Sequence, residues 1–445
     1  MPVLSATRSA DGDLEVKRLI AVSAGTLGVV LVVLTALGVA FAPAVIAVFA
    51  VGFVDDPVKF EAASDMLRWT FPYLLLISLS ALFAGVLNTY NRFAIPAFSP
   101  VWLNVCLITA AVVFAPSTHA LAVAVLVAGV VQLGFHLPSV SRLGVLTWPR
   151  VNFSDPQVRR ILRMMGPILF GSSVAQINLL LDTILASLLV TGSISWLYFS
   201  DRLMEFPVGV FGIALATVIL PKLATQISER AVEEYFQTID WALRLVLLVV
   251  FPAAVALVAL AYPLMVTLFQ YGEFSVEDAR MAAKSLVAFS PGLIGFVLVK
   301  VLAPGFYARM DTKTPVRAGV IAMVVNALCA VILTKALLFG HVGLAAAVSI
   351  SGIVNAGLLY RYMVRDSGYT SGPGMGGFVV KTAAAAIVMG VVLWFGVPDR
   401  QFWTVASLGG RLWQLVIWVP AGTVVYFGCL YLVGLKPHRL FQPQA

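Results

Sequence analysis

The chain is poor in charge, cysteine and histidine, and each shortage closes off a class of function. Only 11% of its 445 residues are charged and 60% are hydrophobic, against roughly 25% charged in soluble domains; mean hydropathy is +0.97. Length alone would suggest about three soluble domains, but so little charge cannot cover their surfaces. Cys106, Cys329 and Cys429 lie inside apolar segments with no CxxC pair, so neither a disulfide framework nor a metal site is indicated. His119, His136, His341 and His438 are scattered, so no set of metal ligands is expected. There is no Walker motif, HExxH, GxSxG or loop carboxylate pair beside a histidine, so neither a cofactor nor enzyme chemistry is indicated. The net charge of +8 is spread through short loops rather than gathered among aromatics, which argues against nucleic acid.

What the chain does have is apolar runs long enough to cross a bilayer. Read against turn and charge breaks, they predict an all-α polytopic membrane protein of about twelve transmembrane helices. These are Leu19 to Phe53, Leu67 to Leu87, Ala97 to Ala115, Ala120 to Val140, Ile161 to Val190, Ile194 to Leu220, Ile239 to Phe269, Ala282 to Ala303, Val316 to Leu338, Val342 to Tyr362, Phe378 to Phe395 and Leu412 to Leu435. The first is long enough to begin as a surface helix. Threading the chain through these spans leaves twenty Lys and Arg on the face of the termini and seven on the other, so the positive-inside rule expects both termini in the cytoplasm. The first apolar run is too long for the h-region of a signal peptide, so none is expected. No loop is long enough to fold a catalytic domain. The basic stretch Arg142 to Arg160 leaves four spans before it and eight after, an asymmetry unusual for a transporter of two similar halves.

Asp201, Arg202 and Glu205 stand inside the apolar stretch Ile194 to Leu220. A charge at membrane depth costs at least about 2.5–3.5 kcal/mol on insertion scales, so three within a turn and a half must be offset by partners, water or a ligand. Helical spacing crowds them to one side, and Arg202 lies roughly 12 Å into the segment at about 1.5 Å per residue. A guanidinium there can bind a phosphate bidentately, or serve a structural ion pair with Asp201 or Glu205. Asp182, one span earlier, could neutralise a cation or carry a proton, or could bond to a neighbouring helix. Asn326 and Asn355 are further candidates for ion coupling, with helix packing as the alternative, and Lys300 can snorkel. Gly166, Pro167, Gly171, Pro207, Gly209, Gly212, Pro252, Pro291 and Gly295 lie within spans and suit helices that bend.

Four segments carry a resemblance: Asn91 to Asn104 (NRFAIPAFSPVWLN), Asp201 to Ala224 (DRLMEFPVGVFGIALATVILPKLA), Leu268 to Ser275 (LFQYGEFS) and Val301 to Arg317 (VLAPGFYARMDTKTPVR). In this order they resemble the MurJ (MviN) lipid II flippase family of bacteria, within the multidrug/oligosaccharidyl-lipid/polysaccharide (MOP) flippase superfamily. The resemblance implies fourteen helices, two lobes of six around a V-shaped cationic central cavity and two more forming a groove for the lipid tail. It implies alternating access that carries an undecaprenyl-pyrophosphate-linked peptidoglycan precursor from the cytoplasmic to the periplasmic leaflet of the inner membrane. Arg202 matches the family's cavity arginine and Glu205 the acid beside it. The implied partners are lipid II and membrane lipids, with cell-wall synthesis and division proteins as further candidates. The implied division is 1–141 for the remainder of the first lobe, 142–160 for a basic linker, 161–366 for the second lobe and 367–445 for the tail groove. Because Pro2, Val3 and Leu4 stand in register with the loop after the family's second helix, two N-terminal helices are expected to be missing through a late-assigned start or a truncation.

Three other functions fit the composition. A drug or glycan exporter of the same superfamily is one, although a cation exporter would place acids rather than arginine at its centre. A polytopic enzyme acting on polyprenyl phosphates is another, but Asp55, Asp56, Glu273, Glu277 and Asp278 lie on the wrong face for a cytoplasmic nucleotide donor. An inert scaffold for cell-wall assembly is the third.

Overall fold

The structure, a computed structural model, describes residues 2–436; side chains at 2–11, 13, 162, 164–175, 213, 214, 216 and 217 fall outside that description. Arg8, His438, Arg439 and the bend candidates Gly166, Pro167 and Gly171 therefore lie outside the described side chains. Among the described residues there is no strand, and two compact units divide the chain, Met1–Ser173 and Val174–Ala445. All twelve predicted spans fall on helices. Among the described residues nine helices are long and apolar enough to cross a membrane, ten counting one bent pair. The remaining two segments lie in Pro156–Ser187 and Ser193–Ser228, where some side chains are undescribed.

The first unit comprises α1 (Pro2–Ala40), α2 (Ala42–Phe49), α3 (Pro57–Thr70), α4 (Tyr73–Thr89), α5 (Ala94–Val113), α6 (Thr118–Arg142) and the start of α7 (Pro156–Ser187). Gly12, at φ 76°, breaks α1, so its spanning part is Leu14–Ala40. The predicted span Leu19 to Phe53 is thus two helices: Pro43 has no N–H for the carbonyl of Val39, and the chain restarts as α2. Pro72 likewise divides α3 from α4 inside the predicted Leu67 to Leu87. Val16, Leu19, Ile20, Phe83, Val86 and Val140 form the core. The outside is apolar too: Ile108 and Val112 of α5 are 63% and 77% exposed, as expected of helices that are hydrophobic all round and face lipid. The basic segment after α6 packs on α1, where the N–H of Arg150 donates to the carbonyl of Ala21 over 2.9 Å.

The second unit comprises the end of α7, α8 (Ser193–Pro207), a π-helical turn (Val208–Ile213), α9 (Ala214–Ser228), α10 (Val232–Ala259), α11 (Ala261–Phe269), α12 (Val276–Phe289), α13 (Gly292–Ala308), α14 (Lys313–Val331), a second π-turn (Ile332–Ala336), α15 (Gly340–Ser367), α16 (Met375–Gly396), α17 (Arg400–Val405) and α18 (Leu408–Leu432). Tyr235, Ile239, Ala242, Leu243, Val246 and Val250 put the buried stripe of α10 at its centre. The predicted Ile239 to Phe269 ends α10 at Ala259 and restarts as α11, and the predicted Ala282 to Ala303 is α12 and α13 bent by 46° at Ser290 and Pro291. Polar backbone exposed by such a bend needs partners in lipid. Ser349 of α15 supplies one, its hydroxyl lying 2.6 and 3.0 Å from the carbonyls of Ala288 and Phe289.

Two loops are pinned by carboxylates. Asp240 accepts from the Tyr369 hydroxyl at 3.0 Å and the Gly372 N–H at 2.8 Å while pairing with Arg244 at 2.7 Å, which ties the segment before α16 to α10. Burial pushes the Tyr369 hydroxyl pKa up, and the Asp240 carboxylate pushes it further. Asp311 accepts from the N–H groups of Lys313 and Thr314, both at 3.0 Å, and from the Thr314 hydroxyl at 2.6 Å. Burial alone would raise its pKa, but these bonds hold it below 3.8. Asp311→Ala is expected to lower stability by about 1 kcal/mol, as for lost helix caps. Because the folded value is depressed, the contribution is present above the unfolded value and lost as pH falls through the folded one. Melting curves of wild type and variant should therefore be separated at pH 7 and converge in acid below 3.8; a gap independent of pH would remove the carboxylate from this role.

Candidate functional site

The charged triplet is set by the way α8 packs. Trp196, Ser200 and Met204, four apart, form its buried stripe. Against α12, the Trp196 indole N–H donates to Asp278 Oδ1 at 2.7 Å and the Ser200 hydroxyl donates to the Ala282 carbonyl at 2.7 Å. Positions two residues off that stripe point the other way. Arg202 Nη1 donates to Glu205 Oε2 at 2.6 Å, and the two side chains are each 54% exposed. The guanidinium also lies 4.9 Å from the centre of the Tyr198 ring, one turn earlier. Of the two acids expected beside Arg202, Glu205 makes the ion pair, whereas Asp201 makes none among the described residues and is only half-buried. Tyr198 was not singled out from the sequence, although an aromatic four residues before an arginine in an apolar run is a usable signal.

Immediately after Pro207 the helix widens into the π-turn Val208–Ile213, a feature frequent at functional sites. A Cβ on Gly212 would lie 3.2 Å from Cγ of Lys300, so the stem of that exposed lysine runs along the turn.

A second polar group joins α7 to α14. Asn326, fully buried, donates through Nδ2 to Asp182 Oδ1 and to Asn178 Oδ1, both at 2.9 Å. Ala186, Ala330, Leu344 and Ala347 close the apolar packing around it. Asp182 and Asn326 are thus brought together, with Asn178 as a third member that the sequence reading missed; its signal was a polar side chain one helical turn before Asp182. Asn355, the other asparagine proposed for ion coupling, is joined to neither by a hydrogen bond among the described residues. The Oδ1 atoms of Asn326 and Asn355 are both buried without a described partner. Facing α10, α13, α15 and α16, an apolar cavity of about 310 Å³ is lined by Leu243, Leu247, Leu298, Tyr360 and Val379.

These features lie on a chain whose residues 1–410 match the family model described as lipid II flippase MurJ. The chain belongs to the lipid II flippase MurJ family. A relative named "Probable lipid II flippase MurJ" from Haemophilus influenzae is 41% identical over 99% of this chain and 89% of its own length. The names describe a transporter family rather than an enzyme family. In fold, the chain is similar to a solved structure titled "Lipid II flippase MurJ, inward closed conformation", with a TM-score of 0.80 and 22% identity over 97% of this chain and 87% of that one. It is also similar to a multidrug resistance MATE family transporter of the MOP superfamily in an inward-facing conformation, with a TM-score of 0.66 and 16% identity over 83% and 86% of the two chains. The all-helical MOP-type architecture expected from the sequence is therefore the observed one. The MurJ match begins at residue 1, which gives the expected loss of two N-terminal helices no support.

Proposed function

We propose that this chain is a lipid II flippase of the bacterial inner membrane, carrying the diphosphate-linked head group across by alternating access while the prenyl tail stays in lipid. The observation that carries this reading is Arg202: an exposed guanidinium inside an apolar helix of a MurJ-family chain. Lipid on that face would make the charge costly, so the face is read as opening to water. There the guanidinium, aimed by Glu205 and Tyr198, can exchange one carboxylate for a phosphate oxygen pair. The count of basic loop residues supports termini on the cytoplasmic side. Residues 1–141 and 161–366 are read as parts of two lobes joined by the basic segment 142–160, and 367–445 as the tail groove; the apolar cavity beside α16 supports that last assignment. Cell-wall synthesis and division proteins are the corresponding protein neighbours. Depleting the gene and assaying lipid II in each leaflet tests the function. Retention in the cytoplasmic leaflet with unaltered precursor chemistry is expected, whereas altered chemistry with normal sidedness would favour an enzyme.

The Asp182 and Asn326 oxygens are proposed to couple transport to a cation, with Asn355 as a further candidate. The support is one carboxylate and two buried amide oxygens without a described partner. Asp182→Ala is expected to abolish the dependence of flipping on Na⁺ or H⁺ gradients in proteoliposomes; an unchanged dependence would exclude this group.

A further inference from the structure

At the end of the second unit where α11, α12, α16 and α17 meet, a cavity of about 310 Å³ lies well away from the α8 site in sequence and uses none of its residues. Its rim is basic. Arg280 and Lys284 stand one turn apart on α12 and so share a face, and Arg400 opens α17 across from them. Among the described residues none of the three has a strong partner. Arg280 meets Glu277 at 3.3 Å in a pair more than half exposed, which is worth little. Lys284 has Met281 Sδ at 3.6 Å, and Arg400 lies 5.7 Å from the centre of the Tyr262 ring. The acid lining the cavity, Asp399, is engaged as the cap of α17, accepting from the Phe402 N–H at 3.1 Å. The lining thus has three cationic side chains against one carboxylate already in use.

The walls below the rim are apolar, formed by Val258, Ala259, Val287 and Leu393, and Trp394 stands at the edge 65% exposed. Cations above, hydrocarbon below and an aromatic side chain at the boundary match an amphiphile at a membrane–water interface. Buried Arg411 ties α11 to α17 at this end, donating to the carbonyls of Val266 and Thr404 at 3.1 and 3.2 Å.

We propose that this pocket binds the phosphate head group of an anionic phospholipid, with Arg280, Lys284 and Arg400 receiving the phosphodiester and the acyl chains running down the Val258–Leu393 wall. On the orientation proposed above, it serves the outer leaflet. The full-length protein in detergent, titrated with phosphatidylglycerol, with diacylglycerol of the same chains and with inorganic phosphate, tests this by native mass spectrometry and thermal melting. Phosphatidylglycerol should bind wild type at least tenfold more tightly than the triple variant Arg280→Gln, Lys284→Gln, Arg400→Gln, while diacylglycerol should not distinguish them. Should the triple variant fail to fold, Lys284→Gln and Arg400→Gln singly are each expected to weaken binding about threefold. Equal phosphatidylglycerol binding by wild type and variants overturns the proposal, as does diacylglycerol binding as tightly as phosphatidylglycerol. Inorganic phosphate matching the lipid at equal concentration would make the pocket a site for a free anion and likewise overturn the lipid assignment.

Discussion

Arg202→Ala is expected to reduce lipid II translocation at least about 100-fold, with little change in the stability of the protein. A bidentate guanidinium–phosphate contact makes two charge-assisted hydrogen bonds of about 1.5–3 kcal/mol each, and losing both removes roughly 3 kcal/mol or more, a factor of about 100. Arg202→Lys keeps the charge but not the planar fork, so it should retain little, about a tenth of wild-type flux. Neither change should alter melting much, because the Arg202–Glu205 pair is 54% exposed on both sides and pairs of that kind contribute roughly 0–1 kcal/mol. The same weakness is what would allow a phosphate to displace the carboxylate. Complementation of a depleted strain, with lipid II sidedness as the readout and melting of the purified variants alongside, separates a transport defect from a folding defect. Normal growth on Arg202→Ala as the only copy would remove this residue from the mechanism.

How much of this was legible beforehand depends on what the signal measures. Hydropathy reports how long a segment stays apolar, so every predicted span falls on helix. It is blind to where an apolar run bends. The breaks at Phe41, Phe71, Leu260 and Ser290 all sit within runs that stay hydrophobic, and their best clue is the proline beside or near each, at 43, 72, 263 and 291. Local side-chain pairing is readable for the same reason that helices are: three- and four-residue spacing fixes which groups meet, and Glu205 reaches Arg202 by that rule, as does Tyr198, which the sequence reading passed over. Contacts distant in the chain were not. Asp182 and Asn326 each stood out as polar residues in apolar surroundings, yet nothing in either segment says that they touch across 144 positions. The basic pocket is the extreme case, since Arg280 and Arg400 looked like ordinary loop-flanking charges until the packing of α12 and α17 set them around one cavity.

That packing has a narrow point, and Gly295→Leu is expected to destabilise the protein by about 3 kcal/mol or more. Helices in lipid gain little from burying apolar surface against one another, so their association rests on close contact through small residues. On α15, Ala345, Ser349, Gly352 and Ala356 recur at four- and three-residue intervals, and Gly292 and Gly295 of α13 meet that stripe. A Cβ at Gly295 would overlap the backbone of Gly352 and Ile353, and a backbone cannot swing aside as a side chain can. Overpacking in a tight core costs about 1–3 kcal/mol, and a leucine against main chain lies at the top of that range. For a body of this size the change corresponds to roughly 6–12 °C in melting temperature. The same substitution at Gly319 of α14, where a Cβ meets nothing within 4 Å, is the control and should leave melting nearly unchanged. The consequence reaches the proposed transport site, because α15 also donates Ser349 to the α12 carbonyls freed at the bend, and α12 is what aims α8 and its arginine. Flux through Gly295→Leu should therefore fall together with stability, whereas Arg202→Ala separates the two. If Gly295→Leu and Gly319→Leu melt alike, the small-residue seam does not govern the packing of this unit.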